Sequence, residues 1–142
     1  MNVWFRRYNN LYYHRKPTGM KEEFQKFYDL LVIDRKLSSW SRQNTLQDRF
    51  EHLVKEVDEI GHALKNNDTA NLREELGDAL WGVLFLMIIT EEQGLFSSKD
   101  VITDAMLKLK RRKPWILTGE QMSAEEELAR FKAAKQQEKG RS

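Results

Sequence analysis

Four acidic residues stand in two pairs with helical spacing, Glu56 with Glu59 and Glu75 with Asp78. Residues three apart on a helix lie one turn apart on the same side, so each pair presents two carboxylates in a column. Hard oxygen ligands of this kind suit Mg²⁺ or Mn²⁺, not zinc or copper. Taken alone, E-x-x-E and E-x-x-D spacings are most often solvated helix faces. The positions of these pairs argue for more. Glu75 and Asp78 stand where charged sequence passes into the apolar run ALWGVLFLMII, and Glu56 borders an apolar stripe. Partial burial there makes the carboxylates repel one another unless a cation neutralises them. The chain has no cysteine, which excludes thiolate nucleophiles, Cys-ligated zinc or iron–sulfur sites, and a disulfide scaffold. Glu59 and His62 supply one Glu-x-x-His, but a di-iron bundle needs two and the second is absent. His52, one turn before Glu56, stands either near the site or on the surface, and His14 belongs to a basic N-terminal segment.

The elements that must position these acids are helices. Between Pro17 and Pro114 no alternating, strand-like run occurs, and the pattern is all-α. A first helix is expected from Lys21 to about Lys36, with Phe24, Phe27, Tyr28, Leu31 and Val32 in one stripe. After the polar stretch SSWSRQN, Thr45 and Asp48 make a capping-box start for a second helix reaching about Lys65. On that helix Phe50, Leu53, Val54, Val57, Ile60 and Leu64 are expected to form the core face, with Glu56 and Glu59 on its flank. A turn at 66–68 leads into a third helix, from about Thr69 to Gln93. Its apolar second half must be central, and Gly82 leaves the column of Glu75 and Asp78 without a side chain. Gly94 ends it. Ser97 with Asp100 opens a fourth helix ending near Lys113-Pro114, and Ser123 with Glu126 forms a full capping box for a last one to about Glu138. The short turn makes the second and third helices antiparallel neighbours, so the two acidic pairs face each other at similar height.

The 142 residues fit one ordinary domain, and no internal repeat is evident. The expected organisation is a basic, aromatic arm at 1–20, a domain at 21–138 and a frayed tail at 139–142. The arm carries Trp4, Phe5, Tyr8, Tyr12 and Tyr13 among basic residues and contains no acid; it docks on the body or another subunit, or meets nucleic acid. The longest apolar stretch, Ala79 to Ile89, is far below the ~20 residues that span a bilayer, and the start lacks a leader-like apolar run. The expectation is a cytoplasmic protein without membrane contact.

The segments SWSRQNT, KEVDE at 55–59, EELGD at 74–78 and KLKRRKPW at 108–115 resemble the MazG-type nucleoside triphosphate pyrophosphohydrolases, over roughly residues 22 to 138. The resemblance implies a four-helix-bundle-like, oligomeric MazG fold with an extra C-terminal helix. It also implies Mg²⁺-dependent hydrolysis of a nucleoside triphosphate to the monophosphate and pyrophosphate, with Mn²⁺ as a substitute, in the service of nucleotide-pool house-cleaning. Glu56, Glu59, Glu75 and Asp78 would hold the metal and carry the catalysis. Lys108 and Arg112, which share a face at i, i+4 while Lys110 and Arg111 point outward, would contact the triphosphate. Phe131 falls where many members have a tryptophan near the nucleotide, and Trp40 and Trp115 are either stacking surfaces or packing residues. Three departures from the family pattern stand out: Lys55 in place of its first glutamate, Ser38-Ser39 in place of a common Cys-Pro, and Lys113-Pro114-Trp115 in place of a common His-Pro-His. Lys55 bears on a second metal, on the positioning of water, or on phosphate contact.

Two other readings are open on sequence alone: a helical interaction or regulatory module that kept the fold while Lys55 weakened its chemistry, and a nucleic-acid-binding helical protein. A net charge of only +2, from 24 Lys and Arg against 22 Asp and Glu, counts against the second. A homodimer is expected, or a tetramer, because one layer of helices this short cannot hide both the 79–89 segment and the first helix's stripe.

Overall fold

Helix boundaries follow the capping chemistry. The computed structural model describes residues 19–140, and every regular element among them is an α-helix: α1 (Met20–Leu37), α2 (Ser39–Gln43), α3 (Leu46–Lys65), α4 (Thr69–Glu92), α5 (Ser98–Arg112), α6 (Trp115–Thr118) and α7 (Ala124–Lys139). At α3 the Thr45 hydroxyl accepts from the Asp48 amide at 3.1 Å, while the Asp48 carboxylate accepts from the Thr45 amide at 2.8 Å. Ser97 and Asp100 make the same reciprocal pair before α5, at 3.1 and 2.9 Å. Each box satisfies backbone donors that a helix start leaves orphaned. At α7 only half the expected box forms. Ser123 accepts from the Glu126 amide at 3.2 Å, but the Glu126 carboxylate accepts instead from Arg130, at 2.7 Å. Gly94, at φ 69°, takes the left-handed conformation that terminates α4.

Two short helices lie where a polar stretch and a helix stop were expected. Ser38 caps α2 by accepting from the Ser41 amide, at 3.1 Å, and Pro114, which ends α5, also serves as N-cap of α6. Of the arm at 1–20, only Gly19 and Met20 lie among the described residues, and of the tail at 139–142 only Lys139, the last residue of α7, and Gly140.

The described residues form two compact units, Gly19–Val101 and those from Ile102 onward, and the boundary between them falls within α5. In the first unit α3 and α4 pair as a helical hairpin. The core consists of Leu31 from α1 with Leu84, Phe85, Met87, Ile88 and Ile89 from α4, and Phe24, Phe27, Tyr28 and Val32 pack against it as the α1 stripe predicts. In the second unit the Trp115 side chain is buried, and ion pairs tie α7 to its neighbours: Glu138 to Arg111 and Arg112, and Glu127 to Lys113.

The face that α3 buries is not the expected one. Phe50, Val54, Val57 and Leu64 are 51%, 43%, 55% and 58% exposed. Arg49 and Ala63 are buried instead, and Leu53, Glu56 and Ile60 are half-buried, a stripe with the same three-and-four spacing rotated around the helix. The α4 segment is likewise central only in its second half, since Leu80, Trp81 and Val83 stay exposed. Among the described residues the main partner of α3 is α4, and the stripe that meets it is the one covered. Among the described residues, no helix is long and apolar enough to cross a membrane.

Candidate metal centre

The α3–α4 hairpin brings Glu56, Glu75 and Asp78 together, with one carboxylate oxygen from each lying within 4.8 Å of the others, and all three residues half-buried. Glu56 lies on the stripe of α3 that faces α4, while Glu75 and Asp78 share one side of α4. Leu53, one turn before Glu56, occupies the space beside Gly82 that the sequence left open: a Cβ at Gly82 would meet Leu53 Cδ1 at 3.2 Å and its Cβ at 3.3 Å. Absence of a side chain at Gly82 thus lets the two helices approach closely, and this approach brings the acids within reach of one another.

Burial, contact with Glu56 and the charges of Glu56, Asp78 and Glu59 push the Glu75 carboxyl above its ordinary range. Like charges held together disfavour ionisation, and a bound cation reverses this. Three half-buried carboxylates converging on one point therefore fit a divalent cation with oxygen preference. Glu59 does not join them. It is exposed, with Oε2 3.5 Å from His62 Nδ1. Lys55 and His52 are exposed as well.

Two arginines are buried in the first unit. Arg35 donates to the Ser41 carbonyl, to the Asn44 carbonyl at 3.0 Å and, through Nε, to Glu92 at 3.0 Å, which anchors α2 and with it the exposed Trp40. Arg49 is 8% exposed; its guanidinium lies 4.6 Å from the Phe85 ring and 5.9 Å from that of Trp40, and its Nε has no hydrogen-bond partner. Burial lowers its proton affinity, while the charges of Asp34 and Glu56 hold the proton on. No spacing signal distinguishes such an arginine from a solvated one.

The remaining candidates lie in the second unit. Lys108 is exposed. Arg112 is held by Glu138 through Nε at 3.0 Å and Nη2 at 2.8 Å, and Arg111 donates to the same carboxylate at 2.6 Å. Phe131 is half-buried among three cations, with Arg112, Lys113 and Lys135 at 6.0, 5.9 and 6.0 Å from its ring. Lys110, expected to point outward, is half-buried, and Arg111 is exposed but ion-paired. The second unit's own contacts, rather than the i, i+4 rule alone, set the direction of these side chains.

Arg112 and Arg111 pull the Glu138 carboxyl down to about 2. A depressed carboxyl stabilises the fold fully above its unfolded value, near 4.5, and loses that contribution as pH falls towards about 2. Thermal melts between pH 7 and pH 2.5 are expected to show Glu138→Gln losing less stability than the parent over that window. Superimposable pH profiles would show that the ion pair contributes nothing.

A family profile described as the MazG nucleotide pyrophosphohydrolase domain matches residues 44–117, slightly more than half of the chain. A nucleoside triphosphate pyrophosphohydrolase of Mycobacterium tuberculosis is 39% identical over 104 residues, which cover 72% of this chain and 32% of the relative. The nucleoside triphosphate pyrophosphohydrolase/pyrophosphatase MazG of Thermotoga maritima is 35% identical over 102 residues, covering 68% of this chain and 40% of that protein. The chain thus spans about a third of the length of the curated relatives it matches. The crystal structure of a MazG-related protein from Thermotoga maritima superposes with a TM-score of 0.74 at 26% identity, covering 79% of this chain and 98% of that one.

Proposed function

This chain belongs to the MazG nucleotide pyrophosphohydrolase domain family, and on that premise we propose that it hydrolyses nucleoside triphosphates to the monophosphate and pyrophosphate, as a cytoplasmic house-cleaning enzyme dependent on Mg²⁺ or, in its place, Mn²⁺. The observation that carries this reading is the convergence of Glu56, Glu75 and Asp78 on one point of the α3–α4 hairpin. Bound there, the cation supplies charge neutralisation for the triphosphate oxygens. The protein's own groups do the rest. Glu56, Glu75 and Asp78 would hold that cation on the α3–α4 hairpin. Glu59, one turn along α3 and outside that trio, takes the proton from the attacking water as the new bond to the α-phosphorus forms and the bond to the bridging oxygen breaks. Pyrophosphate departs with that oxygen. Lys108, Arg112 and Phe131 are proposed as phosphate and nucleotide contacts on the strength of the resemblance, as are Trp40 and Lys55.

The deciding experiment measures pyrophosphate released from a panel of standard, deoxy- and damaged nucleoside triphosphates, with Mg²⁺ and with excess chelator. Metal-dependent release supports the reading. Absence of release from every substrate in the panel would leave an interaction module that has kept the fold.

The exposed stripe of Phe50, Val54, Val57 and Leu64 on α3, continued by Leu76, Leu80 and Val83 on α4, supports a homodimer joined through the hairpin. Light scattering at micromolar concentration is expected to give twice the chain mass, and Val57→Asp is expected to shift the species towards the monomer. A wild-type species of single-chain mass would refute the dimer.

A further inference from the structure

The second unit already holds its candidate phosphate contact, Arg112, with an anion of its own. Glu138 accepts from Arg112 Nε at 3.0 Å and Nη2 at 2.8 Å, the two-pronged geometry in which a guanidinium also takes a phosphate. The same carboxylate accepts from Arg111 Nε at 2.6 Å. The Arg112 and Glu138 side chains are each 23% exposed, so the pair keeps an edge open to solvent. The place of Glu138 on α7 makes this contact easy to undo. It is the penultimate residue of the helix, in a last turn whose unpaired carbonyls disfavour an acid and where helices fray. The body of α7 is fastened elsewhere, by Glu127 to Lys113 at 2.6 Å and by Arg130 to Glu120 at 3.0 Å. Releasing Arg112 therefore disturbs one turn and not the unit. Because Arg112 and Arg111 draw the Glu138 carboxyl down to about 2, it stays ionised near neutral pH.

We infer that Glu138 is a built-in competitor for the triphosphate at Arg112, a carboxylate that holds the arginine between turnovers and yields it to a more highly charged phosphate chain. The inference rests on the reading of Arg112 as a triphosphate contact and adds what that contact must displace. A ligand that meets its arginine free only part of the time binds with an affinity reduced by that fraction. A triphosphate carries roughly three to four negative charges against the one of a carboxylate, and so displaces Glu138 by charge while copying its geometry. Glu138 returns to Arg112 as pyrophosphate leaves.

The test is calorimetric binding of inorganic tripolyphosphate, with Mg²⁺ present, to the full chain and to three variants whose helix content is checked by circular dichroism. Glu138→Gln, isosteric and confined to the last turn of α7, is expected to bind severalfold tighter than the wild type. Arg112→Gln is expected to bind more weakly, and adding Glu138→Gln to Arg112→Gln is expected to bring no gain. A carboxylate that merely orients Arg112 for its ligand forecasts the opposite sign, so unchanged or weaker binding by folded Glu138→Gln overturns the inference. A gain that persists in the double variant also overturns it, because that gain comes from the lost negative charge and not from Arg112. Wild-type affinity in Arg112→Gln overturns instead the reading of Arg112 as a phosphate contact.

Discussion

Replacing Glu75 by glutamine is expected to lower pyrophosphate release by about a thousandfold, the equivalent of roughly 4 kcal/mol of transition-state stabilisation. The helical fold is expected to survive. Burial and the charges of Glu56, Asp78 and Glu59 all disfavour the ionised form of Glu75. An amide of the same shape removes that repulsion, so the apo variant should melt at or above the wild-type temperature. The metal response separates the two proteins further. A ligand that binds only the folded state at a hundred times its Kd stabilises by about 2.7 kcal/mol, so Mg²⁺ or Mn²⁺ should raise the wild-type melting temperature by several degrees and that of Glu75→Gln much less. A solvated acidic face forecasts the reverse, with no metal-dependent shift and unchanged turnover. Wild-type rates from Glu75→Gln would dispose of the proposed centre.

Gly82→Leu is expected to damage both stability and site, because Gly82 sets the distance between α3 and α4. Even a Cβ there would meet Leu53 Cδ1 at 3.2 Å and Leu53 Cα at 3.6 Å, so a full leucine must push the hairpin apart. Overpacking of this kind costs about 1–3 kcal/mol. The displaced Leu53 lies one turn before Glu56, so the carboxylate trio should open at the same time and the affinity for Mn²⁺ fall. Gly77, five residues earlier on α4, has open space around it. Alanine at that position should be accepted, with a gain of roughly 0.5–1 kcal/mol from helix propensity. Denaturant melts of the two variants, read beside Mn²⁺ binding, distinguish a packing glycine from a tolerant one. A Gly82→Leu protein with wild-type stability and wild-type Mn²⁺ affinity would refute the close-approach account.

What could be read from the residue order alone was whatever depends on near neighbours. The boxes at Thr45–Asp48 and Ser97–Asp100 form as expected because every atom they need lies within four residues. The meeting of Glu56 with Glu75 and Asp78 was legible for the same reason, since a short turn between two helices fixes their register. Tertiary structure decided which side of each helix is covered. On α3 the most apolar stripe, Phe50, Val54, Val57 and Leu64, stays exposed, while the stripe carrying Arg49 and Glu56 turns inward. Periodicity shows that a face is apolar, but only the partner helix determines which face it meets. The burial of Arg35 and Arg49 was invisible for a related reason: an arginine's side chain is long enough to reach carbonyls, carboxylates or rings on other elements, and in this chain those partners are Ser41, Asn44 and Glu92 for one and Phe85 for the other. Glu59 shows the same division. Its spacing placed it one turn from Glu56, but half-burial against α4 draws in Glu56 and leaves Glu59 in solvent, because α4 covers only one side of α3.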